Sequence, residues 1–184
     1  DVDRLGHRLL VSAIADRGSL GDLAGAWATF NELEVAAEDP DRAVLLARLT
    51  YSGGDLVGAR DLYRAAVAQA QSAARFDIES RGLLIAGILT AALGEFDEAE
   101  PMLRQAQVRL NQRQQFHDAA DAALSLAQIA AQRGDALTVR TEIDNARALV
   151  AKSRSDARRS QVELFDARLT GATPALPKTP DADD

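Results

Sequence analysis

Cysteine is absent from the 184 residues, which removes disulfides and thiolate metal sites from consideration. That absence leaves the compartment open, with the cytoplasm as the default expectation. Aromatic residues make up only 4% of the chain. Alanine carries much of the 47% hydrophobic content, a palette that suits closely packed helices better than a β-sandwich. No run of about 18 apolar residues and no signal-peptide pattern is present, so no membrane span is expected. Lysine is scarce too: Lys152 and Lys178 stand alone beside an arginine majority. A net charge of -7 argues against nonspecific attraction to nucleic acid or anionic lipid. The local basic spot of Arg154, Arg158 and Arg159 reads as a solvated helix face. The chain begins at Asp1 rather than methionine, and we expect a trimmed or processed product whose leader or neighbouring domain lies outside it.

What is there is a repeat. Gly54, Gly94 and Gly134 are spaced 40 residues apart, and Gly21 precedes the first by 33. An acid follows each of the four: Asp22, Asp55, Glu95 and Asp135. Further columns keep the same phase. Ala26, Ala59, Ala99 and Val139 form one, and Phe30, Tyr63, Leu103 and Ile143 a large apolar one. Leu33, Ala66, Ala106 and Ala146 form a third, and ahead of the glycines stand Ile14, Ala47, Gly87 and Ala127. Phe76 and Phe116 sit in the breaks between successive units. So many columns in phase are not chance.

Between these marks, apolar residues recur at three- and four-residue spacing, as in Leu45, Leu46 and Leu49, and strand-like alternation is missing. Each glycine suits a left-handed helix end, and the acid after it suits the start of the next helix. Asp97 with Glu100 resembles a capping box. Pro40 fits a first helical position and Pro101 a first turn. The expected helices are 3–17, 22–37, 40–52, 55–74, 78–93, 97–114, 118–133, 136–151 and 155–170. The fold class is therefore all-α, a solenoid of about four antiparallel helix pairs plus a capping helix over residues 1–170. Residues 171–184 hold three of the five prolines and end in aspartates, and are expected to be a disordered acidic tail.

The ladder resembles the tetratricopeptide repeat (TPR). Gly87, Gly94, Phe96, Ala99, Leu103 and Ala106 make the best match, and Ala47, Gly54, Ala59, Tyr63 and Ala66 the next. The first and fourth units are degenerate at Ile14, Leu33 and Val139. The spacing is longer than the family's commonest and is similar to that of the long-repeat arrays of kinesin light chains and of bacterial regulators with repeat sensor domains. The resemblance implies a TPR-like right-handed superhelix and a groove lined by the first helices of the units. The lining residues it implies are Val44, Arg48, Tyr51, Leu84, Ile88, Leu124 and Gln128. Apolar residues at these positions also suit intra-array core, and the basic and Asn positions of a carboxylate clamp are held here by Val44, Leu84, Ile88 and Leu124. The groove thus reads as semi-apolar, fit for a peptide or helix of a protein partner.

Catalytic and metal chemistry find no foothold in the sequence. His7 and His117 are the only histidines; His117 with Asp121 has metal-ligand spacing, but no third ligand accompanies them. Glu98 and Glu100 sit at a helix start, where the macrodipole accounts for them. The run from Gly53 to Gly58 follows no strand and is no phosphate cradle. The expectation is a non-enzymatic interaction module without cofactor or metal, part of a larger protein; the arginine and alanine bias suggests a bacterial one. The alternative is a sensor domain that binds a small ligand or short peptide and controls an effector domain elsewhere. Oligomeric state is not legible.

Overall fold

The computed structural model describes residues 21–32, 38–153 and 155–171, and every described element is a helix. They are α1 (Leu23–Asn31), α2 (Pro40–Ser52), α3 (Leu56–Ser72), α4 (Phe76–Ala92), α5 (Phe96–Gln112), α6 (Phe116–Gln132), α7 (Ala136–Ser153) and α8 (Asp156–Thr170). The expected helix over 3–17 and the tail from residue 172 lie outside the described residues, as do residues 33–37 of the second expected helix. The chain forms two compact units, Asp1–Met102 and Leu103–Asp184, with the boundary inside α5.

In the first unit, α1 packs on α2, α2 on α3 and α3 on α4. Ala26, Phe30, Leu45 and Leu49 form one apolar cluster, with Trp27 and Leu46 against it. Trp27 meets Phe30 edge to face at 5.8 Å, and the Arg42 guanidinium lies 4.9 Å over the Phe30 ring. A second cluster joins Ala47, Ala59, Tyr63, Ala86 and Leu89. In the second unit, α6, α7 and α8 pack on one another, and Ala127, Ala130, Val139 and Ile143 form a cluster flanked by Phe165 and Leu169.

The repeat columns are the core. Ala26, Ala59, Ala99, Tyr63, Leu103, Ile143, Ala66, Ala106 and Ala146 are all buried. Small residues bring helices together, and one close approach is at Gly82, which the repeat columns do not include. A methyl group there would stand 2.7 Å from Val67 Cγ2, so α3 and α4 cross where no side chain fits without a shift.

The helix ends differ from expectation at alternate turns. Gly54, Gly94 and Gly134 adopt positive φ, as their place in the repeat implies. The breaks between them come earlier than expected: α3 ends at Ser72 and α5 at Gln112, and Ala74 and Gln114 take φ of 53° and 60°. At Gly54 the chain closes with Gly54 N–H donating to the Tyr51 carbonyl and Asp55 N–H to Thr50. At Ala74 the same two bonds run from Ala74 to Gln71 and from Arg75 to Ala70. Both are Schellman turns. Because α5 starts at Phe96, Asp97 and Glu98 lie in its first turn rather than at its cap. Pro101 consequently falls inside the helix, where it removes the N–H that would reach the Asp97 carbonyl.

Candidate functional site

On α2, Val44, Arg48 and Tyr51 follow one another at helical spacing and share a stripe. Val44 is half-buried against the Ala47, Ala59 and Tyr63 cluster, whereas Arg48 is exposed and Tyr51 is 53% exposed. α4 packs against α2 and carries Leu84, which is 4% exposed, and Ile88, which is half-buried. Burial pushes the Tyr63 phenol up to about 12, while the charge of Arg48 pulls against it. Arg48 thus stands close enough to Tyr63 to bias it, and makes no ion pair among the described residues. The first unit therefore offers an exposed cation and an exposed phenol ring over a partly apolar floor. Tyr63 was legible in the sequence only as a packing residue.

In the second unit the corresponding stripe on α6 holds Leu124, 7% exposed, and Gln128, exposed. His117 stands in the first turn of α6, half-buried, with Nδ1 buried and no hydrogen-bond partner among the described residues. Its neighbour Asp121 accepts from Arg158 of α8 at 3.0 Å. Burial raises the Asp121 carboxyl, against the pull of Arg158. The guanidinium already holds the carboxylate that a cation at His117 and Asp121 would need. Arg158 is therefore more than a solvated charge. Among the described residues no group of three or more His, Asp or Glu side chains comes together in a way that could hold a metal ion.

A second pattern, which the sequence reading missed, links helices a repeat apart. Arg60 of α3 donates to both Glu95 carboxylate oxygens at 2.8 Å, and Arg64 reaches Glu98 at 2.8 Å at the start of α5. In the second unit Arg104 of α5 donates to Glu142 of α7 at 3.0 Å, and Gln107 to the same carboxylate at 3.3 Å. Between consecutive helices rather than a repeat apart, Arg147 of α7 forks onto Glu163 with two bonds of 2.8 Å and reaches Asp166 at 2.6 Å, both on α8. These bonds hold Glu163 below the usual carboxylate range and raise Arg147. For the pairs of α3 with α5 and of α5 with α7 the signal in the sequence was available: an arginine six or ten residues after a repeat glycine and an acid 34 to 38 residues later.

α6, α7 and α8 also enclose an open cleft of about 650 Å³. Its apolar floor is Ala131, Val139, Ile143 and Leu169, and Arg140, Asp144, Arg147 and Asp166 stand along its wall. No described helix is long and apolar enough to cross a membrane.

No family model and no curated protein matches the chain. Among solved structures it is similar to the crystal structure of the nearly identical TPR-like repeats of a kinesin light chain from Podosopora anserina, at 18% identity and a TM-score of 0.69. The likeness covers 89% of this chain and 85% of that one. Helix pairs closed by Schellman turns, alanine columns at their crossings and this likeness together settle the architecture: the chain has the fold of the TPR-like helical repeats.

Proposed function

We propose that the chain is a protein-binding module without catalytic activity, and that its first unit holds a peptide or helix on the α2 and α4 stripe. The observation that carries this reading is the pairing of Arg48, which is exposed and makes no ion pair among the described residues, with the half-exposed Tyr51 on the stripe of α2 that also carries half-buried Val44. Tyrosine and arginine are the side chains that most often dominate protein interfaces, because each combines contact area with directed hydrogen bonds. Leu84 and Ile88 of α4 belong to the same proposed lining, with Leu84 buried, and in the second unit Leu124 and Gln128 stand at the corresponding repeat positions.

Peptides selected from a displayed random library on the wild-type chain test this. Arg48→Glu combined with Tyr51→Ala should weaken their binding by about a hundredfold while leaving the helical circular dichroism unchanged, since both side chains are exposed. Undiminished binding to that variant, or selection that yields no binder, would remove the assignment.

A further inference from the structure

We propose that the cleft between α7 and α8 is a docking seat for an amphipathic helix of a partner protein, one with an acidic residue at its N-terminal cap and a basic residue one turn later. Ion pairs join helices a repeat apart in both units. Arg60, six residues after Gly54, holds Glu95, the residue just ahead of α5; Arg64, four further on, holds Glu98. In the second unit the helix laid over Arg104 and Gln107 of α5 is α7, which supplies the buried Glu142. α3 and α5 therefore each offer a charged flank on which the next second helix sits.

α7 has the same flank. Arg140 stands six residues after Gly134, at the place of Arg60, and Asp144 and Arg147 stand at the places of Arg64 or Arg104 and of Gln107. All three line the cleft. Arg147 is committed to Glu163 and Asp166, which ties α8 to α7. Arg140 is exposed and makes no ion pair among the described residues, and Asp144 is 62% exposed with Arg147 as its one ion-pair partner among them. After α8 the chain turns at Gly171 with φ of 69°, as it does at Gly54, Gly94 and Gly134 before each second helix. The sequence that follows places prolines at 174, 177 and 180, a spacing that an α-helix does not tolerate.

The cleft is too small to swallow a helix about 10–12 Å across, but a helix lying along it would insert one stripe of small apolar side chains over Val139, Ile143 and Leu169. The wall then dictates polarity. An acid at the cap meets Arg140, as Glu95 meets Arg60, and a base one turn on meets Asp144, which has replaced the arginine at that place. Charge order along one turn, rather than net charge, is what the seat reads.

The probe is a helix-stapled peptide spanning residues 95–112 with Glu98→Arg, so that its cap is acidic and its first turn basic. Fluorescence anisotropy against the full chain should show binding at least about tenfold tighter than for the reversed peptide, in which Glu95→Arg accompanies the native Glu98. Arg140→Glu in the protein should weaken the first peptide by about tenfold and strengthen the reversed one. The Arg48→Glu, Tyr51→Ala variant should bind the peptide as the wild type does, which separates this seat from the stripe on α2 and α4. Equal affinity for both peptides, no binding of either, or indifference to Arg140→Glu would overturn the proposal. A chain dimer that the peptide dissociates would give the seat to a second copy. Tighter peptide binding by Leu176→Asp would give it to the chain's own last residues. Either result also overturns the partner assignment.

Discussion

The turns at Gly54 and Gly134 and those at Ala74 and Gln114 bring helices to a stop in the same left-handed way, yet different forces hold them. At the glycine turns everything needed is within a few residues. No Cβ opposes positive φ, and the next residue caps the following helix: Asp55 accepts from Gly58 N–H at 2.8 Å, and Asp135 accepts from the N–H and hydroxyl of Thr138. At the alternate turns a residue with a Cβ sits in the left-handed region, and the caps Arg75 and Gln115 give no side-chain bond to the helix they precede. Order around Arg75 comes from elsewhere: its guanidinium bridges Asp41 at 2.9 Å and Asp77 at 3.3 Å. One class of turn is written locally, while the turn at Ala74 is also braced through Arg75 by Asp41 of α2.

The strongest way to break this comparison is Gly94→Val. A methyl at Gly94 would meet nothing within 4 Å, so the whole cost is backbone strain for a β-branched residue at φ of 82°. Urea unfolding should show a loss of about 2 kcal/mol. Ala74→Val should cost less than half of that, because alanine already carries part of the strain at φ of 53°. Equal losses would mean that the two turns are not held differently.

A middle-sized test contrasts the caps. Asp55→Ala removes a local carboxylate–amide bond and should cost about 1 kcal/mol, little changed by salt. Arg75→Ala removes a bridge whose side chains are a third to more than half exposed, so its loss should stay under about 1 kcal/mol and fade as salt rises. Urea midpoints at low and high ionic strength decide it; a salt-sensitive Asp55→Ala would place that turn in the tertiary class.

The same contrast explains what could be read from the residues alone. Gly54 and Asp55 announce a helix end and a helix start by their own chemistry, so the boundary between α2 and α3 was legible to within a residue. Ala74 and Gln114 announce nothing, since both are ordinary helix residues, and the expected helices ran on through them. Gly82 was equally silent because its role depends on Val67, which only the packing of α3 and α4 brings near. At the candidate site the periodicity put Val44, Arg48 and Tyr51 on one stripe. How much surface each keeps was not legible: Leu84 and Tyr51 have similar standing in the pattern, yet one is 4% exposed and the other 53%. The spacing of the ion pairs from α3 to α5 and from α5 to α7 stood in the sequence, but their residues are 34 to 38 apart, and only stacking shows that such distant charges meet.

The smallest effect is the most diagnostic, because its sign rather than its size carries the answer. Ala74→Gly relieves a left-handed alanine, a conformation that costs an L-residue about 1–2 kcal/mol. Against that, glycine gives the unfolded chain more freedom, which costs about 0.4–1 kcal/mol. The position is exposed and just past the end of α3, so no packing and no helix propensity enters the balance. The difference is a gain of about 0.5 kcal/mol, read as a raised urea midpoint with an unchanged slope. Gln114→Gly, at φ of 60°, should move the same way and add to the first, the two turns being far apart in the chain. A lowered midpoint would show that Ala74 is unstrained where it stands. The alternate turns would then be as locally encoded as the glycine ones, by a signal other than glycine.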